Sequence, residues 1–306
     1  SEFKKHHKAM LEMCDLIYLR GYPFAFFDGL PKIEKPFIWT LSTGGENLKM
    51  RIDQSIEYAQ DALACIVQCN KAKDEAAAAG IKNIHVIPNG VDVDHFKPLD
   101  APGKYDIGFA GNNDGDRAFL KGSEFVKEAC EITGKSYIEV TKKNRLSYDE
   151  MPGFYNSIKL YAQPSNSEGC SNSVMEALSC GIPCLICEGV GYHGETCTEE
   201  DGVFFVERSA SSIASCITEL LDNPELYKNA RLDALSFARK HAWPIIAQKH
   251  KALLDNLFEN IKPIKKETKN PKTIEEIERE IKEVELSLKR EKLKRIKIKN
   301  ERMIQK

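Results

Sequence analysis

The sequence predicts an α/β fold built on parallel sheets, and three observations carry that prediction. Short apolar runs recur along the chain, each bounded by proline, glycine or polar residues, as in Ile158–Pro164 and Pro183–Cys187. Helical patterns closed by glycine lie between such runs: Ser173 to Ser179 ends at Gly181, and residues 70–79 end at Gly80. One unit is complete in the order strand, loop, helix, strand over residues 158–187, which is the repeat of a parallel sheet whose ligands sit at the carboxyl ends of the strands. At 306 residues, with 42% hydrophobic content, the chain has room and apolar material for two such domains.

Taken in order, residues 1 to 3 (Ser-Glu-Phe) read as a cloning or processing scar and are set aside. Residues 4–98 alternate helix and strand. Strands are expected at Asp15–Leu19, Pro36–Leu41 and Leu63–Gln68, and helical patterns at 50–62 and at the Ala-rich stretch 70–79. Residues 99–243 form the second α/β domain. Trp243-Pro244 opens a further helix over 244–262, proline being well placed in a first turn. No apolar run reaches about 18 residues, so no transmembrane helix is expected, nor is a secretory signal. The expected location is the cytoplasm, with peripheral attachment to a membrane as the alternative. Among 10 cysteines, Cys184-x-x-Cys187 is the tightest pair. Residues three apart in a strand point to opposite faces, which disfavours both a zinc site and a redox pair. Buried thiols in a reducing compartment are the expectation.

The segment Ser167 to Gly181, SEGCSNSVMEALSCG, concentrates the chemistry. Glu168 and Glu176 stand eight residues apart, flanking a turn of small polar residues and the start of a helix. Backbone N–H groups at a helix start hold phosphate, and carboxylates accept hydrogen bonds from sugar hydroxyls, so the junction suits a phosphate-linked sugar. Ser173-x-x-Glu176 is equally a capping box, in which Glu176 would serve only its own helix.

Glu168 and Glu176 match the E-x7-E motif of retaining glycosyltransferases of family 4, and the chain resembles that family beyond the motif. Ile84 to Asp92 resembles its VIPNGVD segment, Ile107 to Gly111 followed by Lys121-Gly122 its first C-domain strand and KG loop, Gly189 to Glu195 its GG..E loop, and Gly202 to Val206 its NGxLV strand. The resemblance runs from about residue 60 to 260. It implies the GT-B fold: two Rossmann-like parallel-sheet domains, the N-terminal one (4–98) truncated or minimal, a nucleotide-sugar-binding domain at 99–243, a crossover helix at 244–262 and a charged helical extension at 263–306. The family carries about twice as much chain before its VIPNGVD segment, including a glycine-rich loop that Gly44-Gly45 does not match.

By the same resemblance the donor is a nucleoside-diphosphate sugar, transferred with retention of configuration and without metal or other cofactor. Glu168 would sit near the sugar and Lys121 on the diphosphate, as the catalytic pair. Gly111, Asn112, Arg117, Gly169, Asn172, Ser173 and Glu176 would complete the donor site, with Glu176 on the ribose. Asn112 stands where the family usually has arginine, and Arg117 is the substitute in the same loop. The bland alternative for Lys121 is a solvated loop lysine. On the acceptor side the family often has a histidine; this chain offers Arg20 and Tyr22. The acceptor would be a glycan, a lipid or another cell-surface precursor.

The last 44 residues differ in kind. Ile274, Ile277, Ile281, Val284 and Leu288 follow 3-4 spacing, a heptad seam, and residues 263–306 hold 15 basic against 9 acidic side chains. The expectations are a homo-oligomer through residues 270–306, or contact of Lys289–Lys306 with an anionic membrane or nucleic acid. Two other functions remain open at this stage: a DNA-base-modifying glycosyltransferase of phage type using the basic tail, and a catalytically weak sugar-nucleotide-binding or scaffold protein.

Overall fold

The computed structural model describes residues 14–20, 35–41, 61–100, 103–112, 120–166, 168–188 and 190–260, with residue 279. Two compact units divide the chain, one of Leu16–Asn260 and one of Ser1–Asp15 with Ile261–Lys306. Nearly all described residues belong to the first. Residues 50–60 of the helical pattern at 50–62, Tyr22, Arg117 and the heptad seam with its basic end lie outside the described residues, and residues 61 and 62 are not helical.

The first sheet is parallel, in the order β1 (Ile17–Arg20), β2 (Phe37–Leu41), β3 (Ala64–Val67), β4 (Ile84–Val86). Helix α1 (Asn70–Ala78) connects β3 to β4. Every residue of β2 and β3 is buried, as expected of strands covered on both faces. The two-residue period sorts them. Phe37, Trp39, Leu41, Cys65 and Val67 face the main core. Ile38, Ala64 and Ile66 face the opposite way, against Ile246, Leu253, Leu254 and Leu257 of α8 (Trp243–Asn260). The last helix of this unit thus covers the outer face of its first sheet. Its start is tied to the segment after β4, since Val91 N–H donates to His241 O and Trp243 N–H to Val91 O, each at 3.0 Å. Gly90 is required there because a Cβ would lie 2.7 Å from the Trp243 ring.

The second sheet is also parallel, in the order β6-β5-β7-β8-β9: β5 (Tyr105–Ala110), β6 (Tyr137–Val140), β7 (Ile158–Gln163), β8 (Cys184–Cys187) and β9 (Val203–Val206). On one face Ile107, Leu160, Leu185, Phe204 and Val206 meet Val126 and Ala129 of α2 (Ser123–Thr133) and Ile213 and Ile217 of α6 (Ala210–Asp222). On the other, Tyr161, Cys184, Ile186 and Val203 meet α4 (Asn172–Ser179) and α7 (Pro224–Lys240). Two short helices, α3 (Met151–Asn156) and α5 (Gly191–Thr196), follow β6 and β8. Each fully buried aliphatic side chain here contributes about 1.5–3 kcal/mol. The eight cysteines from Cys65 to Cys197 are buried, and burial pushes the thiols of Cys170 and Cys197 up to about 12.

Elements foreseen from sequence shift by a residue or two. Helix α4 begins at Asn172 because Ser171, in extended conformation, is its N-cap. It ends as expected around glycine, Gly181 N–H donating to Leu178 O and Ile182 N–H to Ala177 O. Among the described residues no helix is long and apolar enough to cross a membrane.

Candidate functional site

The carboxyl ends of both sheets open onto one cavity of about 1000 Å³. From the first sheet come Arg20, at the end of β1, and Gln68 and Asn89, just past β3 and β4. From the second come Gly111 and Asn112 after β5, Thr141, Lys142 and Arg145 after β6, and the junction from Glu168 to Glu176 after β7. Every described residue singled out from the sequence lines this cavity: Lys121, Glu168, Gly111, Asn112, Gly169, Asn172, Ser173, Glu176 and Arg20. Segments as far apart in sequence as those of Arg20 and Glu176 meet here because parallel strands end on the same side.

The two carboxylates are held differently. Glu168 Oε1 is ion-paired to the Lys121 ammonium and accepts hydrogen bonds from Gln163 Nε2 at 3.1 Å and Ser165 Oγ at 3.3 Å. Lys121 is therefore an anchored side chain, not a solvated loop lysine. Gly122 makes this placement possible: its φ is +72°, and a Cβ there would sit 2.6 Å from Pro164 O. The backbone thereby turns Lys121 into the cavity at the start of α2.

Glu176 corrects the capping-box alternative. Ser173 is already inside the helix, and its hydroxyl donates to Gln163 Oε1 at 2.8 Å. Glu176 Oε2 accepts instead from the Tyr155 hydroxyl at 2.7 Å, across from α3. Burial pushes the Glu176 carboxyl above its ordinary range, while the Tyr155 bond and the nearby His95 pull it back. Tyr155 is wholly buried and stays protonated, a fixed donor.

Gln163, at the last position of β7 and buried, ties the junction together. Its Oε1 accepts from the hydroxyls of Tyr161, Ser171 and Ser173, and its Nε2 donates to Glu168 and Ser165. A second chain runs in from the first sheet: Gln68 Nε2 donates to Asn89 Oδ1 at 2.5 Å, and Asn89 Nδ2 donates to Asn172 Oδ1 at 2.8 Å and to Cys170 O at 3.0 Å. Below the junction, the fully buried His193 stands against the Ser171 backbone, and desolvation lowers its pKa to about 4. Glu195 accepts the backbone N–H groups of Asn70 and Lys71, each at 2.5 Å, and so caps α1 from α5.

Tyr155, Gln163, Asn89 and the turn after β6 were missed by sequence reasoning. A polar Gln ending an otherwise apolar strand just before proline was a readable signal, as was the basic run Lys142-Lys143-Asn144-Arg145. Tyr155 gave none, since an aromatic in a short apolar helix reads as core. Among the described residues, no group of three or more His, Cys, Asp or Glu is placed to hold a metal ion.

Comparison with known proteins bears on this geometry. Residues 114–234 match the family model for glycosyl transferases group 1. The fold is similar to that of sucrose-phosphate synthase from Thermosynechococcus elongatus, with a TM-score of 0.69 at 17% identity over 85% of this chain and 78% of that one. It is similar to Anabaena HepE in complex with UDP and glucose, at 0.68 and 14% identity over 83% of this chain and 80% of that one. The pneumococcal O-GlcNAc transferase GtfA in complex with UDP and GlcNAc gives 0.65 and 14% identity, over 82% of this chain and 59% of that one. No curated protein sequence matches the chain. The two Rossmann-like parallel sheets are those of the GT-B fold.

Proposed function

We propose that this GT-B chain, whose residues 114–234 carry the glycosyl transferases group 1 signature, is a glycosyltransferase that moves a sugar from a nucleoside-diphosphate donor to an acceptor hydroxyl with retention of configuration. One observation carries the reading: nine residues picked from the sequence as donor, catalytic or acceptor groups line a single cavity at the carboxyl ends of two parallel sheets. The complexes of HepE and GtfA with UDP make UDP-sugars the first donors to test.

In this reading the bond between the anomeric carbon and the diphosphate oxygen breaks, the acceptor hydroxyl oxygen bonds to that carbon, and its proton leaves on the departing diphosphate. Positive charge builds on the sugar and negative charge on the leaving group. Lys121 and the N–H groups at the start of α4 stabilise the second. Glu168, held by Lys121, Gln163 and Ser165, lies where it can orient the sugar hydroxyls and offset the first. Glu176, with one oxygen on Tyr155, accepts from the ribose hydroxyls through the other. Arg20 lies on the first-sheet wall, where an acceptor would enter; a glycan, lipid or other cell-surface precursor is the acceptor class proposed.

A thermal-shift screen against UDP-, GDP- and ADP-sugars tests the reading, because a ligand that binds the folded state raises apparent stability by mass action. At least one donor should raise the melting temperature. Lys121→Ala should then lose about ten- to a hundredfold in affinity for the nucleoside diphosphate and little for the nucleoside. No shift with any donor would defeat the proposal, and equal losses would remove Lys121 from the phosphate.

A further inference from the structure

The fixed charges that line the cavity do not cancel. Arg20, Lys121, Lys142 and Arg145 line it, against the carboxylates Glu168 and Glu176. Lys121 is already neutralised by Glu168. The diphosphate of a nucleotide sugar brings two negative charges, and a third appears when the sugar leaves. One internally paired ammonium does not balance that load, so the remaining cations matter.

Two of them stand on a built turn. After β6, Asn144 Oδ1 accepts from Thr141 N–H at 2.7 Å and from the Thr141 hydroxyl at 2.9 Å, and Asn144 Nδ2 donates to Glu139 O at 2.6 Å. Lys143 N–H closes the turn onto Thr141 Oγ1 at 3.3 Å. Thr141 is buried beneath it. The turn lies beside the loop that follows β5, because Ala110 pairs with Val140 and Gly111 N–H donates to Val140 O at 3.0 Å. Lys142 and Arg145 line the cavity, whereas Lys143, between them in sequence, does not. Among the described residues Arg145 makes no ion pair.

Resting on the donor reading above, we infer that Arg145, assisted by Lys142, is a diphosphate-binding residue of this protein, carrying the phosphate charge that the Lys121–Glu168 pair leaves unbalanced. A guanidinium offers a planar fork to two phosphate oxygens, and a charge-assisted contact of that kind is among the stronger hydrogen bonds. Lys121 then remains shared between Glu168 and the leaving phosphate. This division of labour also accounts for an asparagine at position 112: the cation comes from the neighbouring strand's turn.

Titration calorimetry on wild type, Arg145→Ala, Lys142→Ala and Lys143→Ala decides the matter, using UDP, GDP, ADP and the matching nucleosides as probes. Arg145→Ala should lose roughly ten- to a hundredfold in affinity for the nucleoside diphosphate and less than twofold for the nucleoside. Lys142→Ala should lose several-fold, and Lys143→Ala should match wild type. Arg145→Lys should recover part of the loss, because it restores charge without the fork. Wild type that binds no nucleoside diphosphate would overturn the donor reading itself and this inference with it. Wild type that binds while Arg145→Ala retains its affinity, or loses nucleoside and nucleoside diphosphate alike, would overturn this inference alone. So would Lys143→Ala weakening binding as much as Arg145→Ala, since that would report only the overall charge of the turn. Melting curves of the variants separate binding effects from misfolding, and the exposed position of Arg145 leads us to expect none.

Discussion

Glu176 and His193 show how burial sets the chemistry of single side chains in this site. Tyr155 holds one oxygen of Glu176, and desolvation raises the carboxyl's pKa. Donor affinity should therefore fall as pH drops through that raised value, because a protonated acid accepts fewer hydroxyl bonds. Glu176→Gln keeps the shape and loses the charge. It should bind donor about tenfold less tightly at neutral pH, lose the pH dependence, and melt within a few degrees of wild type; calorimetry between pH 4.5 and 8 reads all but the last. A lower melting temperature with unchanged affinity would return Glu176 to a purely structural role. His193 titrates in the opposite sense to a stabilising cation. Its folded pKa is depressed to about 4 by burial, against about 6.5 in an unfolded chain, so its contribution is full above about 6.5 and is lost as pH falls towards 4. The melting temperature of wild type should decline over that window, and the decline should be shallower in His193→Gln. Buried His241, lowered in the same direction, keeps it from vanishing.

At the scale of elements, the short helix α5 governs the site without lining it. Gly191, at its start, has φ +51°, and a Cβ there would collide with the backbone oxygens of Glu168 and Gly169. The loop bearing Glu168 can lie where it does only because α5 begins with glycine. Gly191→Ala should cost at least the roughly 1–2 kcal/mol of a left-handed alanine, and should also displace Glu168. A drop in melting temperature together with a tenfold or greater loss of donor affinity is expected; a stability loss alone would show that the loop adapts. The same helix sends Glu195 to the start of α1, joining an element of the second sheet's region to one of the first. These links explain why the E-x7-E spacing was legible and its support was not. Glu168 and Glu176 are local to one junction, whereas Gly191, Glu195, Asn89 and Tyr155 reach it from other segments.

For the whole molecule, the asymmetry of charge matters. The last 44 residues carry an excess of basic side chains and a heptad seam, while the net charge of the chain is −2. Five apolar residues at 3-4 spacing call for a partner, since leaving each exposed forgoes about 1.5–3 kcal/mol. Deleting residues 270–306 should lower the oligomeric state by light scattering and leave donor binding intact. A monomeric full-length protein at micromolar concentration would count against self-association and favour a membrane or nucleic-acid role for Lys289–Lys306.

The sequence by itself determined the α/β class, most strand positions and the cluster of cavity-lining residues around Glu168, because these depend on local periodicity, helix-ending glycines and spacing within one junction. It also foretold a helix opening at Trp243. Only the tertiary structure decided that this helix covers Ile38, Ala64 and Ile66, that Glu176 answers to Tyr155 and not to Ser173, and that Lys121 is paired with Glu168. The physical reason is the same in each case. A hydrogen bond or ion pair between distant segments is worth little to either segment alone, leaves no period or spacing in the chain, and exists only once parallel strands have brought their carboxyl ends together.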